Sequence, residues 1–203
     1  MKKKIWDLYA PIYERAMRAD HKTYQFMYDR IPQMIADKDV LEIATGPGLL
    51  AKHVAHVTHS MIATDYSTGM IKQALKSDYP KQLTFEVADA TCLPYADHQF
   101  DVVLIANALH VIPDPETVLK EIDRVLKPQG LLIAPNFVAH HTGLKSRLWS
   151  MILKIAGVTF EHQWSADEYL TFLNDHDWDV IYAQELPARI TLLYTECQKH
   201  QDD

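Results

Sequence analysis

Three short runs of residue types in this chain have the makings of a nucleoside site. Gly46-Pro47-Gly48 follows the apolar run Val40-Leu41-Glu42-Ile43-Ala44-Thr45, and single acidic residues, Asp65 and Asp89, close two later apolar runs. Small residues let a backbone approach a ligand closely and adopt dihedrals that larger side chains resist. A carboxylate accepts hydrogen bonds from ribose hydroxyls, and a further acceptor can hold an adenine amino group. The plain alternative for either aspartate is that it only caps the turn after its strand. Two of them at successive strand ends, behind a glycine turn, favour the ligand reading.

Residues so spaced act together only if the strands before them run side by side and end at one edge. The pattern supplies this. After a stretch from Ile5 to Ile35 that reads as one or two helices rich in aromatics (Trp6, Tyr9, Tyr13, Tyr24, Phe26, Tyr28), apolar strand-like runs alternate with helical ones. Strands are expected at Val40–Ala44, Ser60–Asp65, Thr84–Ala88, Asp101–Asn107 and Gly130–Phe137. The fourth is apolar throughout, as suits a central strand covered on both faces. Between them, Leu49–Val57 and Thr68–Ser77 read as helices, the second capped by Ser67. A third helix starts at the cap Asp114 with Pro115 in its first turn. It carries the stripe Val118, Leu119, Ile122, Val125 and Leu126, and Lys127-Pro128-Gln129-Gly130 ends it. Leu144–Gly157 is an apolar, helix-like insert, Ala166–Asn174 another helix, and Asp179–Glu185 with Ile190–Cys197 form a closing antiparallel pair.

The expectation is therefore an α/β fold, a Rossmann-like, doubly wound, mostly parallel seven-stranded sheet with an antiparallel C-terminal hairpin strand. Its 203 residues suit one domain. We divide it into an N-terminal helical cap (1–36), a ligand-binding core (37–137), a helical insert (138–178) and a terminal hairpin (179–203). In such sheets the ligand lies beyond the carboxyl ends of the strands.

Two nucleoside chemistries compete for this frame. Gly46-Pro47-Gly48-Leu49-Leu50-Ala51 fits the dinucleotide fingerprint, with Asp65 near the spacing of its ribose-binding acid, which points to an NAD(P)-dependent oxidoreductase. Against it, Glu42 would repel a pyrophosphate at the turn, Asp89 has no role in that fingerprint, and no tyrosine is followed four residues on by a lysine.

The longer run of motifs decides the matter differently. Val40 to Gly48 resembles the first motif of class I S-adenosylmethionine-dependent methyltransferases. Ala88-Asp89-Ala90, Leu93-Pro94-Tyr95 and Phe100-Asp101-Val102-Val103 resemble that family's passage from third to fourth strand. Ala108 to Pro115 and Val125 to Gly130 continue the likeness in register, so that it covers about Val40 to Phe137. The resemblance implies S-adenosyl-L-methionine as cofactor and a small-molecule acceptor. It implies that Glu42 and the backbone of Ala44, Thr45, Gly46 and Gly48 serve the methionine part and that Asp65 takes the ribose hydroxyls. By the same likeness Asp89 and Ala90 hold the adenine, Tyr66 and Met70 flank its ring, and Asn107 lies beside the methionyl end. Ala44 stands where the family most often has glycine, a change that alanine tolerates if the dihedrals there are ordinary.

Methyl transfer asks little of side chains beyond alignment, and needs a base only where the acceptor loses a proton. His110 is the candidate base, because it is expected at the mouth of the cleft and histidine titrates near neutrality; a histidine that merely orders the loop before Pro113 is the plainer account. Tyr9, Tyr13, His110 and His140 are the candidate acceptor contacts. The insert, with Leu148, Trp149, Met151, Ile152, Leu153 and Ile155 beside Lys145, Arg147 and Lys154, could form a lid or rest on a membrane surface. That makes a phospholipid headgroup or a quinone the alternative acceptor, and a silent binding module a further reading.

Composition bounds the rest. A net charge of −7 disfavours a nucleic-acid partner. Cys92 and Cys197 are too few for a disulfide framework or a thiolate metal site. His53, His56 and His59 recur without a carboxylate at ligand spacing, so no metal is expected. The basic start Met1-Lys2-Lys3-Lys4 is followed by Asp7, Pro11, Glu14 and Arg15 rather than an apolar run, and a cytoplasmic location is the expectation.

Overall fold

The computed structural model describes residues 6–7, 21–139, 161–188 and 190–200. Its centre is an eight-stranded sheet. In chain order the elements are α1 (His21–Ile35), β1 (Asp39–Ile43), α2 (Leu49–Val54), β2 (Ser60–Asp65), α3 (Thr68–Ala74), β3 (Leu83–Val87), β4 (Phe100–Ile105), α4 (Pro115–Val125), β5 (Leu126–Ile133), β6 (Asn136–Phe137), α5 (Ala166–Asn174), β7 (Trp178–Leu186) and β8 (Leu192–Lys199).

Strands β3, β2, β1, β4 and β5 pair in that order and are parallel, while β8 joins antiparallel to β5. β7 pairs antiparallel with β8 along its length, and the two-residue β6 pairs β8 just beyond the end of β5. The count exceeds the expected seven because the fifth strand is interrupted at Ala134-Pro135, between β5 and β6. The order runs outward in both directions from β1 and β4, so the switch point of the sheet lies between their carboxyl ends.

Alternation along the strands shows why both faces had to be covered. Val40, Val102 and Leu104 point to one side, where they meet Met27, Ile31 and Ile35 of α1, Leu50 and Val54 of α2 and Ile71 of α3. Leu41, Ile43, Val103 and Ile105 point to the other, against Val118, Leu119, Ile122 and Val125 of α4 and Tyr169 and Leu173 of α5. Each fully buried side chain of this size stabilises the fold by ~1.5–3 kcal/mol.

The helix starts follow the local chemistry. Asp114 accepts from the Thr117 amide, with Pro115 next to it. Ser67 accepts from the Met70 amide at the head of α3, and Ser165 with Glu168 forms a reciprocal capping box on α5. The largest boundary difference from the sequence reading is at the start of β5. Residues Lys127 to Gly130 belong to β5 rather than to a helix end, because Leu126 already pairs with Phe100, and Lys127 Nζ bridges to Asp101 Oδ1 at 2.7 Å. The expected insert helix Leu144–Gly157 lies outside the described residues.

Candidate functional site

The carboxyl end of β1 runs into a turn with three left-handed residues in five: Ala44 (φ 57°), Gly46 (φ 59°) and Gly48 (φ 77°). Glycine takes such angles freely, but alanine pays ~1–2 kcal/mol. The dihedral at Ala44 is therefore not the ordinary one under which the sequence reading tolerated alanine. Backbone bonds hold the turn: Thr45 N–H donates to Thr64 O (2.8 Å) and Gly48 N–H to Thr45 O (3.1 Å). Gly46 N–H donates to Asp65 Oδ2 at 2.8 Å.

Glu42 braces the turn from below. Its side chain is buried, and its Oε2 accepts from the Thr45 hydroxyl at 2.5 Å. Burial pushes its carboxyl up to about 7; the Thr45 bond opposes this, and the charge of Asp65 adds to it. Glu42 and Thr45 thus stand beneath the cavity and do not line it. Gly48 does not line it either. A Cβ there would come within 2.5 Å of the Phe85 ring, so this glycine serves the close approach of α2 to β3.

A cavity of about 270 Å³ opens over the carboxyl ends of β1, β2 and β4. Of the residues expected at the cofactor, Ala44, Gly46, Asp65, Tyr66, Met70, Asp89, Ala90 and Asn107 line it. Asp65 has two attachments. One oxygen accepts from Gly46 N–H and the other from Ser67 N–H, both at 2.8 Å, so the carboxylate ties the β1 turn to the head of α3. Burial raises its pKa, while these two amides counter the shift. Asp89, also on the lining, accepts from the Thr91 amide (3.0 Å) and hydroxyl (2.7 Å) through Oδ1. Asn107 has φ 56°, and its N–H donates to Pro135 O at 2.7 Å. Its side-chain Oδ1 is sealed from solvent and has no hydrogen-bond partner among the described residues.

His110 sits elsewhere. It is 3% exposed and is not among the lining residues; its Nδ1 lies 2.8 Å from Asn136 Oδ1, and Phe137 packs edge-on against its ring. Burial pulls its pKa down to about 4, against the Asn136 bond, so the ring is neutral at pH 7. The one-turn helix it belongs to, Leu109–Val111, forms part of the cavity wall through Val111. Tyr9, Tyr13 and His140 lie outside the described residues. Among those described, no group of histidine, cysteine or acidic residues is arranged to hold a metal. His53 stacks on Tyr28 with centroids 3.8 Å apart, and His59 pairs with Asp39.

Sequence reasoning overlooked part of the lining. Trp6 faces the cavity, as do Thr91, Val111, Ile112, Pro113 and Asp114. The residues from Val111 to Asp114 immediately follow the expected site residue Asn107 and its loop, so loop length was the available signal. Trp6 had none beyond being the first of the N-terminal aromatics. It is placed by its neighbour: Asp7 Oδ1 accepts from the Ser67 hydroxyl (2.5 Å) and the Gly69 amide (2.8 Å) at the head of α3.

Comparison with known proteins bears on this geometry. Residues 41–134 match the model of a methyltransferase domain family. A demethylmenaquinone methyltransferase of Renibacterium salmoninarum is 38% identical over 98 residues, which make up 48% of this chain and 40% of that protein. The chain spans about half the length of these curated relatives. In fold it is similar to a Haloferax volcanii methyltransferase solved with the activator Trm112. There the TM-score is 0.80 at 21% identity, covering 97% of this chain and 98% of the other. It is also similar to DhpI, solved with S-adenosylhomocysteine, with a TM-score of 0.78 at 19% identity, covering 99% and 96%.

Proposed function

We propose that this chain, whose residues 41–134 match a methyltransferase domain family, transfers a methyl group from S-adenosyl-L-methionine to a small-molecule acceptor. The observation that carries the proposal is the cavity that gathers Asp65, Asp89 and Asn107 over the strand ends, with Asn107 Oδ1 buried and unpaired. A buried acceptor without a partner costs ~1–3 kcal/mol, and the ammonium of a methionyl group is a donor that would relieve it. The rest of the lining fits a nucleoside: carboxylates for hydroxyls and an amino group, small Ala44 and Ala90 for close approach, Met70 and Tyr66 for a ring face.

On this reading Asp65 and Asp89 orient the nucleoside end and Asn107 the amino-acid end. The cofactor, when bound, supplies a methyl group activated by a sulfonium. The chain's own contribution is alignment and exclusion of water. The turn from Ala44 to Gly48 is pinned by Asp65 and braced by Glu42, so it needs no rearrangement as ligand arrives. Val111 and Ile112 keep the wall of the cavity dry. Neutral His110 stands behind that wall, where its attachment to Asn136 supports the Leu109–Val111 turn.

For the acceptor, the relative that methylates demethylmenaquinone favours a quinone-type ring over a phospholipid headgroup. A nicotinamide cofactor fits less well, because Asp89 on the cavity wall and buried Glu42 below the turn place acidic groups around a would-be pyrophosphate.

Titration calorimetry with S-adenosylhomocysteine and with NADH separates the two chemistries. Saturable heat with the first alone is expected. Heat with NADH alone overturns the proposal. A transfer assay with methyl-labelled cofactor, offered a reduced naphthoquinone and a phosphatidylethanolamine vesicle, then identifies the acceptor class by where the label goes.

A further inference from the structure

Folded proteins pair nearly all their buried polar groups, so sealed atoms left without partners mark places where something else belongs. Among the described residues three buried side-chain atoms are in this condition: Asn107 Oδ1, Asn136 Nδ2 and His162 Nε2. Asn107 belongs to the cofactor cavity. Asn136 and His162 do not, yet they meet one another through His110.

Their attachments are specific. Asn136 is fully buried, and its Oδ1 receives both His110 Nδ1 at 2.8 Å and the His110 backbone N–H at 3.4 Å. A backbone N–H can only donate, which identifies that atom as the carbonyl oxygen and makes the other, Nδ2, the unpaired donor. His162 is attached to the same turn: its backbone N–H donates to His110 O at 3.1 Å. Its ring stacks on Trp164 with centroids 4.9 Å apart and planes 10° from parallel, and Trp164 stacks in turn on Phe172 at 4.6 Å. Two residues that carry orphaned polar atoms are thus fastened to the one-turn helix Leu109–Val111, whose Val111 lines the cofactor cavity, and the stacked rings of Trp164 and Phe172 continue from His162.

We propose that Asn136 Nδ2 and His162 Nε2 form the recognition point for an oxygen of the acceptor, a phenolic or enolic hydroxyl carried on a flat ring. Such an oxygen accepts from the Asn136 amide and offers its hydrogen to the imidazole of His162. A hydroxyl carries both the acceptor and the donor that these two atoms lack, whereas an apolar group carries neither. Asn136 and His162 are then specificity-determining residues, and His110 positions Asn136. The inference rests on the methyltransferase reading for the presence of an acceptor, but its geometry is independent of the Asp65 and Asp89 side of the cavity.

The test uses the full chain loaded with S-adenosylhomocysteine and two probes of one shape, 1-naphthol and 1-methylnaphthalene. Binding is followed by calorimetry and by the side-chain amide signals of Asn136 in ¹⁵N-labelled protein. We expect wild type to prefer 1-naphthol at least tenfold, with the Asn136 side-chain resonances moving on its addition alone. His162→Phe keeps a flat ring for Trp164 and removes the nitrogen. Asn136→Asp keeps the oxygen toward His110 and removes the donor. Each should cut the preference at least fivefold, with S-adenosylhomocysteine affinity unchanged. A preference that survives both variants, equal binding of the two probes, or binding of neither overturns the proposal and leaves the orphaned atoms to structural water. Loss of S-adenosylhomocysteine binding by wild type itself would instead be a failure of the methyltransferase reading.

Discussion

Ala44 holds a left-handed backbone at φ 57° with a side chain that disfavours it. Replacing it by glycine removes ~1–2 kcal/mol of strain while freeing the unfolded chain by ~0.4–1 kcal/mol. Ala44→Gly should therefore stabilise the protein by up to ~1 kcal/mol, a rise in melting temperature of roughly 2–4 °C for a domain of this size. A lower melting temperature would show that the Ala44 methyl group makes packing contacts worth more than the strain. Two residues earlier, Glu42 sets a pH dependence. Its folded pKa of about 7 lies above its ordinary 4.5, so the folded state holds the extra proton. Stability from this group is complete below pH ~4.5 and is lost as pH rises through ~7, a change of about 2–3 kcal/mol between pH 5 and 8. His110 works the other way, because its folded value of about 4 makes stability fall as pH drops from ~6.5. The two are separated by comparing urea unfolding of wild type and Glu42→Gln at both pH values. The variant's advantage should grow toward pH 8, and a difference that does not change with pH counts against a carboxyl held neutral there.

Between elements, Asp65 is the principal connection at the site. One carboxylate joins the turn after β1 to the first turn of α3 through two backbone amides, and it also faces the cavity. Of the two readings of this aspartate set against each other on sequence, the capping one is seen in these bonds, and the ligand one is a proposal that its place on the cavity wall supports. Asp65→Ala should weaken S-adenosylhomocysteine binding by ~1.5–3 kcal/mol, the range for a charged hydrogen bond, and should also lower the unfolding midpoint. Calorimetry on the folded variant checks the first; an unchanged affinity would confine Asp65 to holding the turn. Elements of this kind were legible because their signals are local. Ser67 and Asp114 cap the helices they were expected to cap, and Ser60–Asp65 and Ala166–Asn174 were read to the residue. What was not legible depends on partners distant in sequence. The extension of β5 back to Leu126 follows from Phe100, and the role of Gly48 follows from Phe85. The burial of His110 follows from Asn136, twenty-six residues on, with His162 beyond it. Its titration range and its expected place at the mouth of the cleft make His110 a candidate base on sequence, whereas its neutral, enclosed ring answers to packing that no spacing reveals.

Over the whole molecule, the sheet gathers its loops at one edge, and the start of the chain comes back to that edge. Trp6 joins the cavity lining, and Asp7 fastens it there by accepting from the Ser67 hydroxyl and the Gly69 amide, sixty residues away. Gly69 makes this possible, since a Cβ at that position would stand 2.8 Å from the Asp7 backbone. Trp6 and Asp7 are thereby coupled to the same α3 terminus that Asp65 secures through Ser67 N–H. Ligand binding and this Asp7 attachment should then be linked, each favouring the other by the same free energy. Two substitutions release the attachment by different routes: Asp7→Ala removes the acceptor, and Gly69→Ala blocks the approach. Both should weaken S-adenosylhomocysteine binding by about 1 kcal/mol, roughly fivefold, in line with the loss of one or two partly exposed hydrogen bonds. Both should also reduce the change in tryptophan emission on binding, a signal that Trp6→Phe should diminish without abolishing the heat of binding. If both variants bind as wild type does while Trp6→Phe still removes the emission change, Trp6 reports on the ligand but the Asp7 attachment is not linked to binding.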